Sequence, residues 1–187
     1  MSFECINAGD GRRKGLLADW EQWMRAADGL YSRFLERVGD SPFYYHEVAS
    51  TGFLASAAAM AGFIPLAEYE ILKRGRQDKR TKSDGRADLW FSGERLCYSF
   101  EMKRAYLSAT QKNLSAVMNE AIDDIACIGR DEYHYAAGCL ITRIRDEDRM
   151  ETYRNFGQSE HVDICYRIGP AGEDGAFLFF KLVANAN

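Results

Sequence analysis

The sequence predicts an α/β fold, α+β by some schemes, with a central mixed sheet flanked by helices. Three observations carry that expectation. A long stretch with helical periodicity opens the chain, a cluster of short apolar runs with period-two alternation follows, and the two periodicities then interleave to the C-terminus. With 187 residues, 47% of them apolar, the chain falls in the size range of one domain and can bury a sizeable core. The expected organisation is a helical extension over 1–40, a core over 44–144 and a C-terminal helix with strands over 145–187.

From Leu16 to Val38, apolar residues including Trp20, Trp23, Met24, Ala27, Tyr31 and Phe34 recur every three or four positions, with Glu21, Arg25, Asp28 and Arg33 between them. This spacing predicts an amphipathic helix whose aromatic stripe packs into the core. The turn Gly39-Asp40-Ser41-Pro42 leads to a second helix from about Tyr44 to Ala61, closed by Gly62. Its segment EVASTGFLASAAAMAG is rich in small residues suited to close packing on a sheet, and Glu47 is its only acidic group.

Pro65 opens a strand, LAEYEILKR, and the polar stretch Gly75 to Gly85 reads as a loop. Arg86 to Phe91 and Arg95 to Lys103 read as strands joined by a tight hairpin around Ser92-Gly93-Glu94. Ser108 or Thr110 can cap a helix running to about Ile128, with Leu114, Met118, Ala121 and Ile125 on its buried face. Glu120, Asp123 and Asp124 fall opposite that stripe and are expected in solvent. A strand buried on both sides, His134 to Ile144, a charged helix, Arg145 to Phe156, and strands Val162 to Ile168 and Ala176 to Val183 complete the reading.

The composition excludes several classes of function. A net charge of −4 argues against coating of nucleic acid or anionic membrane by bulk electrostatics, so a polyanion must meet a local basic patch. The five cysteines are scattered without a CxxC pair or zinc spacing. No stretch is long and apolar enough for a signal peptide or a membrane span, and a cytoplasmic protein is the expectation. His46, His134 and His161 are isolated, without a nucleophile or carboxylate at an interpretable spacing.

Chemistry concentrates in the hairpin. Alternation puts Glu101 and Lys103 on one face of their strand and Met102 on the other. A two-residue loop, Ser92-Gly93 or Gly93-Glu94, places Asp88 on that same face close to Glu101, whereas a three-residue loop would reverse it. Carboxylates on adjacent strands form a hard-oxygen site suited to magnesium, which takes only one or two protein carboxylates and keeps several waters. A neighbouring lysine can hold a water, help to deprotonate it, or neutralise charge on a phosphoryl transition state. The bland alternative is an ion pair between Glu101 and Lys103 or Arg104 at the strand end.

Helix with Glu47, strand, strand with Asp88, strand with Glu101-Met102-Lys103, helix, strand: over Tyr44 to Ile144 this order resembles the PD-(D/E)xK nuclease superfamily. The resemblance implies a three-layer restriction-endonuclease-like core of α-β-β-β-α-β order and a metal-dependent nuclease, acting on DNA in preference to RNA. It implies that Asp88 and Glu101 ligate Mg2+, with Mn2+ as a substitute, and that the Met102 carbonyl completes the site. Lys103 would orient the nucleophilic water, with Glu47 as the accessory helix carboxylate. Ala87 stands where the motif's name has proline, a variable position.

The preceding loop carries Lys73, Arg74, Arg76, Lys79, Arg80, Lys82 and Arg86 against Asp78 and Asp84. Of these, Arg76, Lys79, Arg80, Lys82 and Arg86 are the expected nucleic-acid contacts. A catalytically silent module of the same scaffold, binding nucleic acid or protein, is the rival expectation. A homodimer, with the Leu16 to Val38 helix as its contact, is compatible with the pattern without being required by it.

Overall fold

The computed structural model describes residues 3–75, 81–105, 110–144, 147–170 and 175–183. Among them the chain forms β1 (Glu4–Asn7), α1 (Lys14–Val38), α2 (Glu47–Met60), β2 (Ile64–Arg74), β3 (Lys82–Ser92) and β4 (Cys97–Arg104). It continues with α3 (Gln111–Ile125), β5 (Tyr135–Arg143), α4 (Glu147–Gly157), β6 (Ile164–Ile168) and β7 (Ala176–Leu182). The strands form one seven-stranded mixed sheet in the order β1-β6-β7-β5-β4-β3-β2. Only β4 and β5 run parallel, as expected for strands joined through a helix, here α3.

Alternation along the central strands divides the core between the two faces. Ala137, Cys139 and Ile141 of β5, with Leu178 and Phe180 of β7, pack with α1 and α2. Leu140, Phe177 and Phe179, one residue out of phase, pack with α3 and α4. The aromatic stripe of α1 is core, as its spacing predicts: the Trp20 ring lies 4.8 Å from Phe180 and the Trp23 ring 4.8 Å from Phe91. Leu16, Trp20, Trp23, Met24, Ala27 and Tyr31 are all buried within the fold. These six residues are therefore not free to supply the dimer contact considered for this helix, whereas Val38 at its end is exposed.

Several boundaries differ from the sequence reading for physical reasons. β1 was not expected: four residues, ECIN, carry too little alternation to stand out, and they are ordered by pairing with β6. α2 begins at Glu47 rather than Tyr44, because His46 is its N-cap and its Nδ1 accepts the Ala49 N–H at 3.3 Å. Of the two expected caps of α3, Thr110 fills the role, accepting the Asn113 N–H, and Ser108 lies outside the described residues. β3 begins at Lys82, inside the stretch read as loop, because pairing with β2 continues to Arg74↔Lys82 and satisfies those backbone groups. Lys82 and Arg86 are thus strand residues, whereas Arg76, Lys79 and Arg80 lie outside the described residues. No helix of the described residues is long and apolar enough to cross a membrane.

Candidate active site

The β3–β4 register decides whether the acidic residues meet. Ser92 pairs with Cys97 and Leu89 with Phe100, and the Gly93 N–H bonds Leu96 O at 2.9 Å. The turn therefore tightens at Glu94-Arg95, displaced from either expected loop but still even in length. Continued one residue further, that register would set Asp88 opposite Glu101, but the β3–β4 ladder ends at Leu89.

At Asp88 the strand also departs from simple alternation. Leu89 and Phe91 belong to the α1/α2 side of the core, yet Ala87 packs with Ile125 and Ile128 at the end of α3. The residue facing Asp88 across β2, Glu68, has φ of 52°, a left-handed conformation uncommon outside glycine. β3 leaves β4 here, and the carboxylate takes the place of a ladder acceptor: the Met102 N–H donates to Asp88 Oδ2 at 2.6 Å. Backbone strain of this kind clusters at functional sites.

Glu101 is the most secluded of the charged groups, with 3% of its side chain exposed. Burial, reinforced by the charge of Asp88 and opposed by Lys73, pushes its carboxyl up to about 7. Lys73 Nζ lies 2.5 Å from Glu101 Oε1. Lys103 Nζ lies 3.1 Å from Asp124 Oδ2 and 3.9 Å from Glu47 Oε1. Burial alone would lower the Lys103 ammonium, but the Asp124 bond and the charges of Glu47 and Asp88 outweigh it and hold it above its ordinary value. Glu47 is raised by burial, against the pull of Lys103 and with Asp88 adding to the rise.

Asp88, Glu101, Lys103 and Glu47 are thus brought to one place. Comparisons with family models, curated proteins and solved structures gave no match. The site therefore rests on its own geometry.

Glu101 and Lys103, the pair considered as the bland alternative, are each met by other elements: Glu101 by Lys73 of β2, and Lys103 by Asp124 of α3 and Glu47 of α2. Asp124, expected in solvent, has only 19% of its side chain exposed. Helical geometry explains the difference, because a residue three positions after the buried Ala121 is turned only about 60° from the stripe and flanks it. α3 comes close enough because β5 has glycine beneath it. A Cβ on Gly138, which pairs with Glu101, would stand 3.0 Å from the Ala121 backbone and Cβ.

Other residues fall differently. Glu70 is exposed opposite Arg86 in the β2–β3 ladder, and Glu68 reaches Arg86 at 3.5 Å. His134 has a partner after all, its Nδ1 3.0 Å from Cys97 Sγ and accepting the Cys97 N–H. His161 stacks on Phe156.

A divalent cation suits this donor set. Asp88 and buried Glu101 present adjacent carboxylates, and Glu47 and Asp124 add to the negative charge around Lys73 and Lys103. Among the described residues no three His, Cys, Asp or Glu side chains converge on one point. Magnesium asks for fewer.

Proposed function

We propose that this chain is a metal-dependent nuclease of PD-(D/E)xK type, hydrolysing phosphodiester bonds in nucleic acid, DNA ahead of RNA. The observation that carries the reading is the convergence of Asp88, on the Met102 N–H, with buried Glu101 and with Lys103 flanked by Glu47. The order α2-β2-β3-β4-α3-β5 supports a restriction-endonuclease-like core, to which β1, α1, α4, β6 and β7 are additions.

Asp88, Glu101 and the Met102 carbonyl would hold magnesium or manganese. When bound, the ion supplies electrostatic stabilisation of charge developing on the phosphoryl oxygens. Lys103, held as an ammonium by Asp124 and Glu47, can donate a hydrogen bond to the attacking water and orient it, but does not itself take the proton. Glu47, raised by burial, is the better proton acceptor. Arg86, with 66% of its side chain exposed, and Lys82 stand on β3 before Asp88 and would bind the substrate's backbone phosphates.

One observation favours the silent-module reading: both site lysines are already neutralised by carboxylates of the chain. Cleavage of single- and double-stranded DNA and RNA with Mg2+ or Mn2+ separates the readings. The wild type should cleave, and Asp88→Ala and Lys103→Ala should each lose about a hundredfold or more of the rate while keeping the fold. Salt-dependent binding without cleavage by the wild type would favour the silent module instead.

A further inference from the structure

Lys73 reaches Glu101 by an unusual route. It belongs to the outer strand β2, and β3 lies between β2 and β4 in the sheet. The route is open because β3 pairs with β4 only from Leu89 onward, while the β2–β3 ladder runs on to Arg74↔Lys82. That arm is anchored beside α3, where the Arg74 N–H donates to Cys127 O at 2.7 Å. The Lys73 stem then passes over β3 at Gly85, where a Cβ would stand 3.0 Å from its Cδ and 3.1 Å from its Cγ. Glycine leaves space for the stem, which would have to give by a few tenths of an ångström to a Cβ at that position.

Resting on the nuclease reading, we propose that Lys73 is a placeholder cation. It holds the Glu101 carboxylate in the metal-free protein, yields it to the divalent ion, and is freed by that exchange to meet a phosphate of the substrate. The argument is one of competition: Oε1 carries the ammonium at 2.5 Å, and a divalent ion bound to that oxygen at about 2 Å competes with the ammonium for its lone pairs and repels it. With 22% of its side chain exposed, Lys73 lies close enough to solvent to swing outward along its flexible stem. Lys73 is on this view a positioning residue, distinct from Lys103, whose partners are Asp124 and Glu47.

The test reads metal binding and amine reactivity rather than turnover. Mn2+ is titrated into wild-type protein, and acetylation of each lysine is mapped by mass spectrometry with and without the ion. Reactivity of Lys73 should rise severalfold on Mn2+ saturation, with no such rise for Lys103, and the rise should vanish in Asp88→Ala. Lys73→Met should bind Mn2+ more tightly by on the order of tenfold. Gly85→Ala, whose Cβ presses on the stem but keeps the charge, should shift affinity in the same direction by a smaller factor.

Asp88-dependent Mn2+ binding with unchanged Lys73 reactivity would overturn the placeholder and leave the nuclease reading standing. A gain in Lys73→Met without any in Gly85→Ala would also overturn it, because it would show charge repulsion alone. Absence of Asp88-dependent Mn2+ binding would remove both.

Discussion

Glu101 sits where a carboxylate is costly, and the consequence is measurable without any substrate. Its carboxyl is raised from an ordinary 4.5 to about 7, so between those values the folded protein holds a proton that the unfolded chain releases. Stability then falls as pH rises through that window, opposite to the usual behaviour of a salt-bridged carboxylate whose value is depressed. The shift in Glu47 has the same sign. We expect the melting temperature in chelator to decline from pH 4.5 to 7, with Glu101→Gln flattening much of that slope. Parallel profiles for the two proteins would mean that Glu101 titrates normally. On the proposed metal site, excess Mn2+ should reverse the trend for the wild type, since a bound ion would favour the ionised form.

At the scale of elements, the site depends on how closely α3 lies on β5. Gly138 permits that approach, and a methyl group there would press on Ala121 and the Ile122 N–H, each about 3.0 Å from its position. Gly138→Ala should cost about 1–3 kcal/mol by overpacking, measured by urea denaturation, and should loosen the Lys103–Asp124 contact that α3 supplies. A variant as stable as the wild type would show that α3 has room to lift. Hairpin parity and the apolar stripe of α3 are local properties, so the register that carries Asp88 towards Glu101 was legible in the sequence, and the break in alternation at Asp88 was not. Asp124 was not, because a residue at the margin of a helical stripe is assigned to solvent or to the sheet only by how the helix is seated.

For the molecule as a whole, α1 closes one face of the sheet with two tryptophans that are equally buried but differently bonded. Trp23 Nε1 donates to Leu54 O at 2.9 Å, tying α1 to α2, whereas Trp20 Nε1 has no hydrogen-bond partner. Replacing each by phenylalanine removes similar ring area, but only Trp23→Phe breaks an inter-helix hydrogen bond, whereas Trp20→Phe removes a buried donor that has no partner. We expect Trp23→Phe to be the more destabilising by about 1–3 kcal/mol, read from the difference in denaturation midpoints at equal slope. Equal losses would mean that ring packing outweighs the inter-helix bond.

The sequence by itself determined the α/β class, most of the elements and their order, and the face of β4 that carries Glu101 and Lys103. These follow from periodicities of two and 3.6 residues, which are set by backbone geometry within each element. Tertiary structure alone decided that β1 exists, that β3 departs from β4 at Asp88 opposite the left-handed Glu68, and that Lys73 crosses at Gly85 to Glu101. It also decided that Asp124, and not a neighbour on β4, takes Lys103. The physical reason is common to all of these. Pairing between charges distant in sequence depends on where separate elements come to rest, and the energy that seats them comes from apolar burial, which carries no record of the charges at its margin.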